Sequence, residues 1–250
     1  MGPVIICTSA FGADLVKQLG QAGVLEHIRE AGAQGVEIRE ELLSDQDLPL
    51  SRLREAIEQA SLSCVYSAAT PLFDKQSRLN TDEMHQSLAR ANELGARWIK
   101  FGLGQLCAEC IDDGAATLKN ELADHSLPVL IENDQTSCGG DPLIHAALHR
   151  ALESDALGTT LDLGNGYWTD HDLSQAASRL GARVRYVHCK AVTHINGQPR
   201  ACPPDDAARA HWSALWHHFP AEVPRAIEFP LDHDNVSATA RHVEQLKSLA

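Results

Sequence analysis

The sequence has no stretch near the roughly 18 consecutive apolar residues of a membrane span, so no transmembrane segment is expected. The opening residues, MGPVIICTSAFGADL, place no basic cluster ahead of their short apolar run, and no signal peptide is read there. Positive charge is scarce. Lys and Arg number 21 against 34 Asp and Glu, for a net charge of −13 and a pI near 5.4. Proteins that grip a phosphate backbone draw their affinity largely from Lys and Arg, so nucleic acid is not expected as a partner. No G-x-G-x-x-G follows the first β-rich run and no P-loop occurs, which leaves a doubly wound nucleotide fold without its usual support. The seven cysteines are odd in number and scattered, which suggests reduced thiols and a cytoplasmic location. One C-x-x-C, Cys107 with Cys110, has no second pair at finger spacing, so a structural zinc is not expected there.

What is present is ordinary globular composition, 44% hydrophobic and 22% charged over 250 residues, enough to bury a sizeable core. Short β-rich runs fall at 3–7, 35–39, 62–68, 97–102, 128–133, 158–163, 184–190 and 224–229. Segments of helical period lie between them, at 13–32, 50–61, 81–95, 109–124, 142–153, 172–180, 205–218 and 236–248. Thr81, Asp82 and Glu83 suit a helix start, and Gly95 suits its end. The last two strands are the least marked, because 199–204 is proline-rich. Eight strand–helix units without a linker imply one α/β domain over residues 1–250, a (β/α)8 TIM barrel. The doubly wound open sheet is the competing architecture.

In such a barrel the strand C-termini share one face, where chemistry collects. The late strands end on Glu132, Asp162, His188 and Glu228. Taken singly, each carboxylate reads as a cap, a turn residue or a salt-bridge partner, and His188 as a hydrogen-bonded structural group. Asp162 in particular runs into the turn Gly164-Asn165-Gly166. Taken together, three carboxylates and an imidazole on successive strands call for a cation to offset their burial. A donor set of oxygen and nitrogen without sulfur suits Mn²⁺, Mg²⁺ or Co²⁺, and accommodates Zn²⁺.

Other residues are candidates beside these. Lys100 near the end of strand four, and Lys190 two residues after His188 on the same face, are placed to meet a carbonyl or anionic oxygen; the plainer reading of Lys100 is a salt bridge. Glu37 is a candidate for holding a substrate hydroxyl, or else a buried partner of Arg39 or Lys100. Asn133 and Gln135 follow the first ligand candidate and suit orientation of it or binding of hydroxyls. Trp168 and Phe11 suit a pocket wall, with plain packing as the alternative, and Ser137–Asp141 reads as a turn rather than a lid.

The runs GVEIRE, LIENDQ, LDLGN, YVHCK and IEFP, spread over nearly the whole chain, resemble the xylose isomerase-like barrel family of sugar isomerases, ketose 3-epimerases and inosose dehydratases. The resemblance implies metal ligands at Glu132, Asp162, His188 and Glu228, and a homo-oligomer; Glu132 and Glu228, from opposite sides of the ion, are the expected catalytic bases. Substrate contacts are assigned to Glu37, Lys100, Lys190, Asn165 and Trp168. The chain departs from relatives at Asn165, where many have histidine, at Cys138, where some epimerases have an acid, and at His194, where some have arginine. The function expected is metal-dependent isomerisation or epimerisation of a small sugar or sugar acid through an enediolate. A dehydratase on the same site is the alternative; a phosphodiester hydrolase or a noncatalytic sugar-binding barrel ranks below it.

Overall fold

The computed structural model describes residues 2–249. Eight parallel strands close into a barrel, which excludes the open doubly wound sheet. They are β1 (Val4–Cys7), β2 (Gly35–Arg39), β3 (Ser63–Ser67), β4 (Ile99–Gly102), β5 (Val129–Glu132), β6 (Leu157–Asp162), β7 (Val184–Cys189) and, after a hairpin of β8 (Ala191–Ile195) and β9 (Gln198–Cys202), β10 (Arg225–Ile227). Neighbours follow chain order, and β10 pairs with both β7 and β1 to shut the ring. Strands such as β1 and β5 are buried at every residue, because helices cover the outer face and side chains fill the inner one.

The helices start where the sequence offers a cap. Asp141, Asp172, Asp205 and Asn235 each accept a backbone N–H from the first turn of their helices through the side chain. The helix Thr81–Glu93 behaves otherwise: Asn80 occupies the cap position and turns its side chain to the Pro71 carbonyl, while Thr81 is the first helical residue. Gly95 leaves that helix with φ +72°, a conformation glycine adopts without strain.

One expectation is corrected. The segment 13–32 is not one helix; it breaks at Gly20 (φ +72°) into Ala13–Leu19 and Leu25–Glu30 with a 3₁₀ turn between. The front of the proline-rich stretch, through Cys202, belongs to the β8–β9 antiparallel hairpin, which turns at Asn196 and Gly197, both with positive φ. Asn-Gly is the pair that a two-residue hairpin turn of this kind requires.

Period-two alternation organises the barrel interior. Ile5, Cys7, Val65, Leu130, Tyr186 and Ala226 form an apolar plug, with Trp98 packed against it. Two residues further along their strands, Trp98 gives way to Lys100, Leu130 to Glu132, Tyr186 to His188 and Ala226 to Glu228. On the outer face of β10, Arg225 is buried with its guanidinium 4.3 Å over the Trp216 ring and donates to the carbonyls of Leu246 and Leu249. It thereby satisfies the end of the C-terminal helix Val236–Lys247.

Helix Pro142–Leu152 is tied to β6 through His149, whose Nε2 lies 2.7 Å from Thr159 Oγ1. Burial, with His145 and the neighbouring arginines, lowers the His149 pKa to about 3. The ring is therefore neutral when folded and titrates near 6.5 when unfolded. Protons favour the unfolded chain between those values, so this contribution to stability is lost as pH falls below about 6.5. In urea unfolding at pH 7 and pH 5, His149→Gln is expected to lose less stability than the native chain, by about 1.4 kcal/mol per pH unit.

Candidate metal centre

Glu132 and Asp162 are the last residues of β5 and β6, His188 lies on β7, and Glu228 stands one residue past β10. One ligand-capable atom of each lies within 4.8 Å of all the others. His188 Nδ1 is their common point: Glu132 Oε1 lies 3.0 Å away, Glu228 Oε2 3.1 Å and Asp162 Oδ2 3.7 Å. His188 Nδ1 and Glu132 Oε1 are buried without a hydrogen-bond partner, and Asp162 Oδ2 has only the Lys190 ammonium at 2.8 Å. Orphaned buried polar atoms are rare because each forfeits its hydration. Two of them beside the inner oxygens of Asp162 and Glu228, an acid and imidazole set, fit a divalent cation with oxygen and nitrogen ligands.

The surroundings hold these groups in place. His188 Nε2 meets Glu37 Oε2 at 2.8 Å. A carboxylate on one ring nitrogen keeps the proton there and leaves the other nitrogen free to bind a cation. Glu37, fully buried, is held in turn by Arg39 at 3.4 Å and Lys100 at 3.7 Å. Asp162 has two occupations. Its Oδ1 accepts from the backbone N–H of Gly164 (2.7 Å) and of Asn165 (2.8 Å), the turn role, while Oδ2 faces the centre. Asn133 pairs with the Asp162 backbone, accepting at 2.7 Å and donating at 3.0 Å. Asn165 donates to the Asn133 carbonyl at 2.7 Å and accepts from Gln135 at 3.1 Å. Three amide side chains thus lock the ends of β5 and β6 together.

Cations hold the outer oxygens and reach two of the inner ones. Lys100 Nζ donates to Glu132 Oε2 at 2.7 Å, and Arg39 Nη1 to Glu228 Oε1 at 2.7 Å. Lys190 Nζ bridges Glu228 Oε2 at 2.7 Å and Asp162 Oδ2 at 2.8 Å. Burial alone would raise the Glu132 pKa, but Lys100 and His188 bring it down to about 2. Lys190, His188 and Arg39 likewise hold Glu228 well below the usual range, against burial. Asp162 goes the other way: burial, helped by Glu228 and Glu132, outweighs Lys190 and pushes it up to about 7.

A second set of mutually close groups is Cys7, Glu37, His188 and Glu228. It shares His188 and Glu228 with the first and forms no separate site. Burial, then Glu37 and Glu228, push the Cys7 thiol well above its ordinary value, and Glu37 is already committed to His188 and two cations, so the first set is the better cage.

The remaining candidates fall into place around this centre. Trp168, half-buried on the short helix Gly166–Thr169, has its ring 5.9 Å from Lys190 Nζ. Beside Lys190 opens a cleft of about 990 Å³, lined among others by Tyr167, His194, His211 and Trp212. Asn165 is buried in the amide network, and Glu37 sits behind the imidazole. Phe11 packs edge-on against His27 at 5.0 Å and His233 at 5.9 Å. The 137–141 segment is a braced turn: Asp134 N–H donates to the Gly139 carbonyl, and a Cβ on Gly139 would lie 2.1 Å from the Asp134 carboxylate. Cys107 and Cys110 are free and belong to no metal-capable cluster among the described residues. Two features escaped sequence reasoning, the Arg39–Glu228 pair and the Lys190 bridge. The only signal for them is that Arg39 and Lys190 share the inward faces of Glu37 and His188.

The model of the xylose isomerase-like TIM barrel family matches residues 25–222. No curated protein sequence matches the chain. Among solved structures, D-allulose 3-epimerase from Methylomonas sp., in complex with D-allulose, superimposes with a TM-score of 0.75 at 13% identity, over 100% of this chain and 97% of that one. The probable 3-DHS dehydratase AsbF from Bacillus anthracis gives 0.73 at 13% identity over 100% of both chains. An AP endonuclease, family 2, from Brucella melitensis gives 0.67 at 15% identity over 96% of this chain and 99% of that one. Identities this low establish a common fold, while the named reactions differ from one another. No helix among the described residues is long and apolar enough to cross a membrane.

If Glu37 fixes the His188 ring, Glu37→Gln is expected to weaken Mn²⁺ binding by about 10- to 100-fold. An electron paramagnetic resonance titration reads this directly, with an unchanged far-ultraviolet dichroism spectrum as the folding control.

Proposed function

The chain belongs to the xylose isomerase-like TIM barrel family, and from that premise we propose a divalent-metal-dependent isomerase or epimerase of a small sugar or sugar acid. The observation that carries this reading is the pair of orphaned buried atoms on Glu132 and His188, with the inner oxygens of Asp162 and Glu228 completing the cage. Glu132, Asp162, His188 and Glu228 would hold the ion, and Mn²⁺, Mg²⁺, Co²⁺ and Zn²⁺ all suit the donors. A bound ion supplies Lewis acidity, which polarises a carbonyl and its neighbouring hydroxyl and acidifies the C–H beside them.

The chain's own residues do the rest. Glu132 and Glu228 approach His188 Nδ1 from different strands, at 3.0 and 3.1 Å, and are held ionised by Lys100, Lys190 and Arg39. An ionised carboxylate beside the acidified carbon serves as general base. If the second glutamate has first taken a proton from solvent and delivers that one to the opposite face, while the first keeps the proton it removed, the stereocentre inverts; if the first returns its proton to the adjacent carbon, an aldose and a ketose interconvert. Glu37 acts as a positioning residue for His188, and the network of Asn133, Gln135 and Asn165 positions Asp162. Lys100, Lys190 and Trp168 remain the substrate contacts of this reading.

Loss of a β-hydroxyl, a dehydratase reaction, is the second reading. What favours it is the presence of two buried ammonium groups, Lys100 and Lys190, able to protonate a departing hydroxyl. A phosphodiester hydrolase of several ions is less well supported, since both metal-capable groups among the described residues share His188 and Glu228. The acidic charge speaks against nucleic acid, the family for a homo-oligomer, and the free cysteines for a cytoplasmic setting.

The test is incubation with ketoses, aldoses and sugar acids in D₂O with Mn²⁺. Deuterium is expected at a carbon next to the carbonyl of one substrate. Glu132→Gln and Glu228→Gln are each expected to slow that exchange by about 10²- to 10⁴-fold. Full metal-dependent turnover in both variants would remove the two glutamates from the role of base.

A further inference from the structure

We infer that this site takes a substrate bearing a carboxylate, and that Lys190 is the residue that selects it; the inference rests on the metal-dependent reading above. The buried groups at the barrel mouth are four carboxylates, Glu37, Glu132, Asp162 and Glu228, and three side-chain cations, Arg39, Lys100 and Lys190. His188, with one ring nitrogen on Glu37 and the other on the ion, is neutral. A divalent ion then leaves the cluster with one positive charge in excess. An unbalanced charge in a buried site is costly. Glu41 does little to balance it: it reaches Arg39 Nε at 2.8 Å, but from the rim, with 41% of its side chain exposed, where water screens the pair. A neutral sugar leaves the excess in place, whereas a monoanion removes it.

The position of Lys190 says where that charge is presented. Its ammonium touches Asp162 Oδ2 and Glu228 Oε2, the two oxygens nearest His188 Nδ1 on their side chains. Ammonium and divalent ion repel strongly at such separations, so Lys190 Nζ and the ion compete for the same oxygens. Lys100 does not compete, because it holds Glu132 Oε2 and leaves the orphaned Oε1 free. The Lys190 stem is clamped: a Cβ on Gly164 would lie 2.7 Å from Lys190 Cγ and from its carbonyl oxygen. Only the far end of the side chain is free to yield, and the open side is the cleft it already lines, with the Trp168 ring 5.9 Å away. Displaced from the two carboxylates, the ammonium lacks a partner that a substrate carboxylate supplies. The substrate class is thus a hydroxy-carbonyl acid, a sugar acid or short oxo-acid, rather than a neutral sugar.

The experiment compares the full-length native protein with Lys190→Met and Lys190→Gln. Mn²⁺ binding is read by electron paramagnetic resonance. Calorimetry on the Mn²⁺-loaded proteins then compares two small chelators of similar size, glycerate and dihydroxyacetone, and the readout is the change in their affinity ratio between native protein and variant, in which the stronger chelation by glycerate cancels. Both variants are expected to bind Mn²⁺ about tenfold more tightly than the native protein, since no ammonium has to be expelled, and to lose about tenfold of the native preference for glycerate. Lys190→Gln keeps a polar head and covers the case in which the methionine variant folds poorly. Unchanged Mn²⁺ affinity and an unchanged glycerate preference would overturn the role of Lys190 while leaving the metal centre standing. An absence of any saturable Mn²⁺ site in the native protein would overturn the metal reading itself, and this inference with it.

Discussion

The mouth of this barrel is governed by the need to neutralise four carboxylates that the fold has taken out of water. Glu37 and Asp162 are fully buried, and Glu132 and Glu228 nearly so. Each recovers what it lost in hydration from specific partners: an imidazole, two lysines, an arginine, and for Asp162 two backbone N–H groups. The compensation is almost complete on the outer oxygens. It is incomplete at the centre, where Glu132 Oε1 and His188 Nδ1 face each other unpaired and Lys190 alone serves the inner oxygens of Asp162 and Glu228. Partly satisfied buried networks are poor stabilisers, and the unsatisfied centre of this one is where the proposed cation would sit.

The rest of the structure makes that arrangement affordable. Below the polar layer, Ile5, Val65, Leu130, Tyr186 and Ala226 fill the barrel with apolar volume, so the carboxylates stand on an apolar floor. Low local polarity strengthens the attraction of the cage for a cation. The ring of parallel strands sets the spacing, and the amide network on β5 and β6 fixes the direction of Asp162. The Glu37–His188 contact joins groups 151 residues apart, across the barrel rather than along it. Mutual positioning of this kind is what a reaction at a metal centre demands of its ligands.

The same electrostatics connects site and specificity. Three cations packed among four acids leave little excess charge until a divalent ion arrives, and then the balance tips positive. Lys190 stands at the point of conflict, sharing its oxygens with the ion and its stem with the neighbouring cleft. If the proposed ion displaces Lys190 toward the substrate side, the two binding events are coupled, because each changes the electrostatic setting of the other.

Much of this was legible residue by residue. The alternation of β-rich and helical runs, the absence of nucleotide motifs and the eightfold count pointed to the closed barrel. Period-two alternation put Lys190 on the face of His188, and the strand-end rule put Glu132, Asp162, His188 and Glu228 on one rim. These are local properties: which side of a strand a residue takes and how far along it lies depend on its neighbours in sequence. The Asn-Gly turn of the hairpin was equally local, masked only by the prolines beside it. What tertiary structure alone decided were the relations between strands: that Glu37 stands behind His188, that Arg39 reaches Glu228 189 positions away, and that Lys190 spans two acids from different strands. Such pairings depend on where the ring closes and on which long side chain reaches which buried charge first. No periodicity along the chain carries that information.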